Sequence, residues 1–202
     1  DAFISLIQDE TLGTWITASP ELFLLRNKGH LKSFSLAGTK HGKNSELGSK
    51  EEKEQRIVTD FIQEACTSSG LEVDLKSGIE QKAGALTHLL TVVEARATEK
   101  DLDLDQLIDN LHPTPAVCGQ PKKWAKSFIE FEGYNRQLYT GFLGPYFGPD
   151  KFEFYVNLRC AQVFEEGIRF YAGAGITEDS DPEKEYIETE AKMAVLRSVL
   201  LK

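Results

Sequence analysis

The sequence predicts an α+β fold in which antiparallel sheets pack against helices. Three observations carry that expectation. Residues 2–36 and 138–172 are rich in β-branched and aromatic residues that alternate with polar ones, broken by glycine turns. Residues 51–131 hold segments with apolar residues three and four apart, the spacing of one helix face. Strands and helices are grouped along the chain rather than alternating one for one, which favours antiparallel sheets with helices laid on them over a parallel βαβ layout.

Taken in order, Ala2–Ile7 alternates as a strand, Gln8–Gly13 turns, and Thr14–Ala18 is a second strand. Glu21–Arg26 is a third, turned at Lys28-Gly29 into Leu31–Leu36, and the four together read as an antiparallel meander. Residues 39–49 are polar and rich in glycine and lysine, which predicts a mobile loop. Over Glu51–Ser68, Ile57, Phe61, Ile62 and Ala65 repeat at helical spacing, and Gly70 ends the helix. Leu71–Leu75 is a short strand. Gly84–Thr98 is long enough for a helix, but Val92, Val93 and its threonines favour a strand, and strand is the choice made. Leu102–Leu111 is a helix, followed by a stiff proline-rich loop, and Pro121 opens a helix through Phe131. Leu138–Phe147, Phe152–Cys160 and Ala161–Ala172 read as a second meander. A helix from Pro182 to Leu201 closes the chain.

The 202 residues, 41% apolar and 27% charged, suffice for one domain with a real core, and 1–202 is read as one domain. A net charge of −9 without a basic cluster argues against nucleic-acid binding, yet leaves room for an anionic small molecule in a locally positive site. No run of about 18 apolar residues predicts a membrane span. Cys66, Cys118 and Cys160 are odd in number and lack metal-ligand spacing. Free thiols in a reducing cytoplasm are the expectation. Trp15 and Trp124 are expected in the core.

The stretch with most chemistry is Arg169–Lys192. Gly173 and Gly175 leave backbone N–H groups open to a close-approaching anion. Ser180-Asp181-Pro182-Glu183 is a helix start: either Ser180 or Asp181 can cap, and Glu183 suits a capping box with Ser180. Glu185 and Glu188 share a helix face, with Lys192 one turn further. Taken alone, that helix reads as a solvated acidic face with one surface ion pair.

Four segments together carry a family resemblance: Ala18-Ser-Pro-Glu-Leu-Phe23, Leu36-Ala-Gly-Thr39, Leu111-His-Pro-Thr-Pro-Ala-Val-Cys-Gly119, and Tyr171-Ala-Gly-Ala-Gly-Ile176 through Lys192. Arg136, Tyr139-Thr-Gly141 and Leu158-Arg-Cys-Ala161 lie between them. In this order and spacing, over essentially the whole chain, the sequence resembles the chorismate-utilising enzymes. The His112–Ala116 run is similar to the isochorismate synthase branch rather than to the salicylate, anthranilate or aminodeoxychorismate branches.

The resemblance implies a chorismate-binding α/β sandwich. It also implies a reaction that moves a ring hydroxyl by adding water at one carbon and losing hydroxyl from another, feeding menaquinone or siderophore synthesis. Glu21 is implied as the general acid. Glu54, Glu185 and Glu188 are implied as Mg²⁺ ligands, a hard-oxygen set suited to that ion. His88, Ala116, Tyr139, Arg159, Gly173, Gly175 and Lys192 are implied in substrate binding, with Arg159 offering a carboxylate fork. Where the family commonly has Glu-His, this chain has Glu54-Gln55. His112 is read as structural, and His30 and His41 as loop residues. The family's water-activating base is a lysine upstream of Ser-Pro-Glu, and residues 1–20 hold no lysine. The expectation is a domain whose N-terminal part is missing. Alone it would bind chorismate and Mg²⁺ with little or no turnover, as a monomer or a weak homo-oligomer.

Overall fold

A computed structural model of the chain describes residues 2–41, 49–83, 86–97 and 102–201. In chain order, β1 (Phe3–Asp9), β2 (Gly13–Ser19), β3 (Leu22–Asn27) and β4 (His30–His41) lead to α1 (Ser49–Ser68). Next come β5 (Leu71–Ala83), β6 (Leu86–Ala97), α2 (Leu104–Leu111) and α3 (Lys122–Phe131). The last part holds β7 (Phe142–Leu143), β8 (Lys151–Val156), β9 (Cys160–Phe164), β10 (Gly167–Tyr171) and α4 (Pro182–Leu200). The α+β class holds: both sheets are antiparallel in every described pairing. The chain forms two compact units, one of Asp1–Glu21, Asn135–Leu143 and Tyr155–Lys202, the other of Leu22–Tyr134 and Gly144–Phe154.

The first unit carries a four-stranded sheet in the order β1-β2-β9-β10. The β1–β2 hairpin runs in register from Phe3↔Ser19 to Asp9↔Gly13. Its turn is pinned by the Asp9 carboxylate, which accepts the N–H groups of Thr11 and Leu12, both at 2.8 Å. Those bonds favour the charged form and hold the Asp9 pKa below its ordinary value. The core of this unit is aromatic. Trp15 stacks on Tyr171 at 5.0 Å between centroids, and Tyr139 lies 5.6 Å from Tyr171. Gln162 satisfies the polar atoms inside: it accepts from the Tyr171 hydroxyl at 3.0 Å and donates to the Leu12 carbonyl at 2.9 Å.

The second unit carries the order β5-β6-β4-β3, with β8 beside β3. One face of this sheet is covered by α1, which buries Gln55, Val58, Thr59, Ile62, Ala65 and Cys66. Gln55 is uncharged and bonded there: its side-chain amide donates to Thr91 Oγ1 at 2.9 Å, and its backbone carbonyl accepts from Ser35 Oγ at 3.2 Å. A buried polar group is tolerated when bonded in this way. The helix α2 ends on a side chain: Lys122 Nζ donates to the carbonyls of Asp109, Asn110 and His112 at 2.9, 3.1 and 2.7 Å. A cation is favoured at that end of a helix.

Three expectations are corrected. The first four strands are not one meander, because the chain changes sheet between β2 and β3. Pro20 cannot donate to a ladder, and Ser19 turns its hydroxyl to the Val156 carbonyl. The second meander is also broken up. Residues 138–147 form turns with only the two-residue β7, while β8 and β9 belong to different sheets. Gly144 explains part of this: a Cβ there would lie 1.9 Å from the Glu153 carbonyl oxygen, so two backbones meet where a strand side chain would stand. Trp124 is not core but 67% exposed on α3, stacked on Phe128 at 5.6 Å. Within the 84–98 segment the described residues Leu86–Ala97 are the strand β6, as expected, and β5 extends well past Leu75 through a bulge near Gly78. Of the loop expected at 39–49, residues 42–48 lie outside the described residues, and the first residues belong to β4.

Candidate active site

Glu21 is where β2 leaves its sheet. Its backbone carbonyl accepts the N–H of Val156 at 3.0 Å, and the Ala18 N–H donates to the Arg159 carbonyl at 2.8 Å. Residues 18–21 and 156–159 therefore run side by side. The carboxyl is 6% exposed. Burial pushes its pKa from 4.5 up to about 7, with the Lys192 ammonium pulling the other way. A glutamic acid in this state is still about half protonated at pH 7.

Lys192 ties α4 to the glycine segment. Its Nζ donates to the Gly173 carbonyl at 2.9 Å and pairs with Glu188 Oε1 at 2.8 Å, one helical turn back. Among the described residues no hydrogen bond takes the N–H of Gly173 or Gly175. Gly173 has no room for a side chain: a Cβ there would lie 2.6 Å from the Tyr139 hydroxyl. That explains glycine at this position without invoking unusual backbone angles. Arg159 is half-buried, and its burial holds the guanidinium pKa below the ordinary value. Among the described residues no carboxylate is paired with it. Taking a cation from water without a counter-charge is costly, so this group is suited to an incoming anion.

The helix start is capped by Asp181, whose carboxylate accepts the N–H groups of Glu183 and Lys184 at 3.0 and 3.1 Å. Ser180 is not the cap; its hydroxyl turns back to the N–H of Thr177 at 3.0 Å. This start sets the phase of α4 so that Glu185 is turned inward, 6% exposed, with Glu188 and Lys192 on the same side. Leucine-like burial of a glutamate is unusual unless the group has a polar task.

Glu21, Tyr139, Arg159, Gly173, Gly175, Glu185, Glu188 and Lys192 all belong to the first unit. Glu54, His88 and Ala116 belong to the second. Glu54 is half-buried on α1, and Ala116 is exposed in the turn after Thr114. His88 lies in β6 opposite Thr39 and Gln81, and its side chain lies outside what is described. Among the described residues no three His, Cys, Asp or Glu side chains gather as a metal cluster. The two α4 carboxylates nevertheless fit a hard cation in donor chemistry, Glu185 by its burial and Glu188 by its spacing from it.

Residues 1–201 match the family described as chorismate binding enzyme. The chain belongs to that family. It is 36% identical over 200 residues to the isochorismate synthase MenF of Bacillus subtilis, covering 93% of this chain and 42% of the relative. It is 32% identical over 199 residues to the isochorismate synthase DhbC of the same organism, covering 91% and 49%. Among solved structures it superposes on MenF, the menaquinone-specific isochorismate synthase of Escherichia coli, with a TM-score of 0.79 at 29% identity, covering 93% of this chain and 46% of that one. The chain thus spans about half the length of the curated relatives it matches.

For a chorismate binding enzyme, the residues named from sequence are those with catalytic types, and the supports beneath them were missed. Asn157 is 0% exposed and bonded on every side, as described below. Its one signal is a polar residue between Val156 and Leu158 in an apolar strand end. Gln162 and Ser19 carry the same faint signal. The cysteines stay in the background as expected: all three are free. Burial pushes the Cys66 thiol up to about 11 and Cys160 up to about 12, which leaves both inert near neutral pH. Among the described residues no helix is long and apolar enough to cross a membrane.

Proposed function

We propose that the chain provides the chorismate site of an isochorismate synthase, with Glu21 as the general acid. The observation that carries this reading is the buried Glu21 carboxyl, whose pKa of about 7 keeps a proton available beside the Lys192 ammonium. In the proposed reaction a water oxygen bonds to one ring carbon as a base takes its proton. The C–O bond at a second ring carbon then breaks, and Glu21 protonates the departing hydroxyl, which leaves as water. Arg159 supplies a fork for one substrate carboxylate. Lys192, with the N–H groups of Gly173 and Gly175, supplies donors for the same end of the molecule. Tyr139 lines the ring.

Glu185 and Glu188 would hold Mg²⁺, which when bound offsets the charge of a substrate carboxylate. Before metal or substrate arrives, Lys192 offsets part of the charge of Glu188 through their ion pair. The water-activating base is not assigned among these groups.

The test is product analysis after adding chorismate and Mg²⁺ to the native protein. Isochorismate as the sole product supports the reading. Salicylate with pyruvate, or anthranilate when ammonia is supplied, would move the protein to another branch of the family. Tight chorismate binding without any product would make it a binding protein.

A further inference from the structure

We propose that Asn157 is a positioning residue, whose buried side chain fixes the turn that carries Tyr139 and, through Tyr139, the backbone at Gly173. The inference rests on the reading above that Tyr139 and Gly173 line the substrate. Four bonds among nitrogen and oxygen atoms converge on this one residue, besides a longer one from the Cys160 thiol to its carbonyl. Its Nδ2 donates to the Leu138 carbonyl at 2.8 Å, and its backbone N–H donates to the Gly141 carbonyl at 2.7 Å. Its carbonyl accepts the Thr140 N–H at 2.9 Å, and its Oδ1 accepts the hydroxyl of Thr17 on β2. Leu138, Thr140 and Gly141 surround Tyr139, so the turn is gripped on both sides of that residue.

The turn needs such a grip. Gln137 and Thr140 hold φ angles of 49° and 67°, a left-handed conformation that residues with side chains rarely adopt. Such conformations persist where surrounding contacts over-determine them, and they gather at functional sites. The local chain supplies the Tyr139 N–H to Arg136 carbonyl bond at 2.8 Å, the Gly141 N–H to Leu138 carbonyl bond at 3.2 Å, and two bonds to side chains: Gln137 N–H to Asn135 Oδ1 at 3.0 Å and Arg136 Nη1 to Thr140 Oγ1 at 3.4 Å. Asn157 adds three more bonds to the turn, one from its side chain and two from its backbone.

The consequence is transmitted by contact. Tyr139 leans on Tyr171 and stands against Gly173, closely enough to exclude a Cβ. The carbonyl of Gly173 is the acceptor of Lys192. Asn157 also lies two residues before Arg159, so the same anchor sets the start of the segment that bears that guanidinium. A shift of the turn by about 1 Å would move the phenol away from Gly173, a displacement that can cost about a hundredfold in rate at a tuned site.

The test compares wild type, Asn157→Ala, Tyr139→Phe and the double variant in the native protein. It reads kcat and KM for chorismate and amide hydrogen exchange at Tyr139, Thr140 and Gly141. Asn157→Ala is expected to lower kcat/KM by tenfold or more and to speed exchange at those three amides. The double variant should then be no worse than the poorer single one by more than about threefold, because both act through one ring. Losses that multiply, or unchanged exchange at the turn, would overturn the proposal. Should Asn157→Ala not fold, Thr17→Val removes only the bond to Oδ1 and must give the same changes in smaller measure; no change in either readout would equally overturn it. If the wild type neither binds nor converts chorismate while exchange at the turn still depends on Asn157, the functional reading fails and the structural grip stands.

Discussion

The helices α1 and α4 are nearly the same length, 20 and 19 residues, and use their inner faces in opposite ways. The inner face of α1 is a packing surface, where Val58, Ile62, Ala65 and Cys66 are buried and Gln55 is uncharged and bonded. Only Glu185 and Leu196 are buried on α4, while Ile187, Val195 and Val199 are exposed. Its position owes more to polar attachments, chiefly the Asp181 cap and the Lys192 bond to Gly173. Packing needs volume and shape, whereas a site for anions and cations needs charges kept out of water. A helix that does the second gives up much of the first.

The contrast can be broken in a graded series. Replacing Lys192 with Met should lower kcat/KM for chorismate about a thousandfold, or ~4 kcal/mol of transition-state stabilisation, with little change in Tm. Steady-state kinetics and a melting curve on the same sample separate the two effects; an equal loss of stability would put Lys192 with the packing residues. Ile62→Ala should do the reverse, costing about 3 kcal/mol in chemical denaturation while the surviving folded protein keeps its kcat.

A third test uses pH. Folded Glu21 holds its proton up to about pH 7, whereas an unfolded glutamate loses it near 4.5. Folding therefore favours the protonated form, and this contribution is complete below pH 4.5 and lost as pH rises through 7. The loss amounts to about 3 kcal/mol across that window. Glu21→Gln should flatten the stability profile there, as read by urea denaturation at a series of pH values. The smallest effect is assigned to Asp181→Ala, about 1 kcal/mol from a lost helix cap, seen as faster amide exchange at Glu183 and Lys184.

The series also marks what the sequence made legible. Element types followed from local physics: alternation in β1 and β2, helical spacing in α1, and β-branched content in β6, where length pointed the other way. Sheet membership did not follow, because it depends on partners far along the chain. Nothing near Thr17 indicates that β2 pairs with Cys160 on β9, and only Pro20 hints that the strand ends there. Aromatic character misled at Trp124, since burial is decided by what lies opposite a helix face. The residues proposed for the site were picked from motifs, and the apolar run Leu22–Leu25 already suggested a buried Glu21. The supports were not: Asn157 acts through Thr17, Leu138 and Gly141, all distant in sequence.

The most direct test of the account is the pH dependence of chorismate turnover by wild type and Glu21→Gln at saturating Mg²⁺. A buried glutamic acid that protonates the leaving hydroxyl predicts that wild-type kcat falls as pH rises through about 7, and that Glu21→Gln loses a hundredfold or more at every pH. A wild-type kcat that stays flat from pH 5 to 9, or a Glu21→Gln variant as fast as wild type, would contradict it.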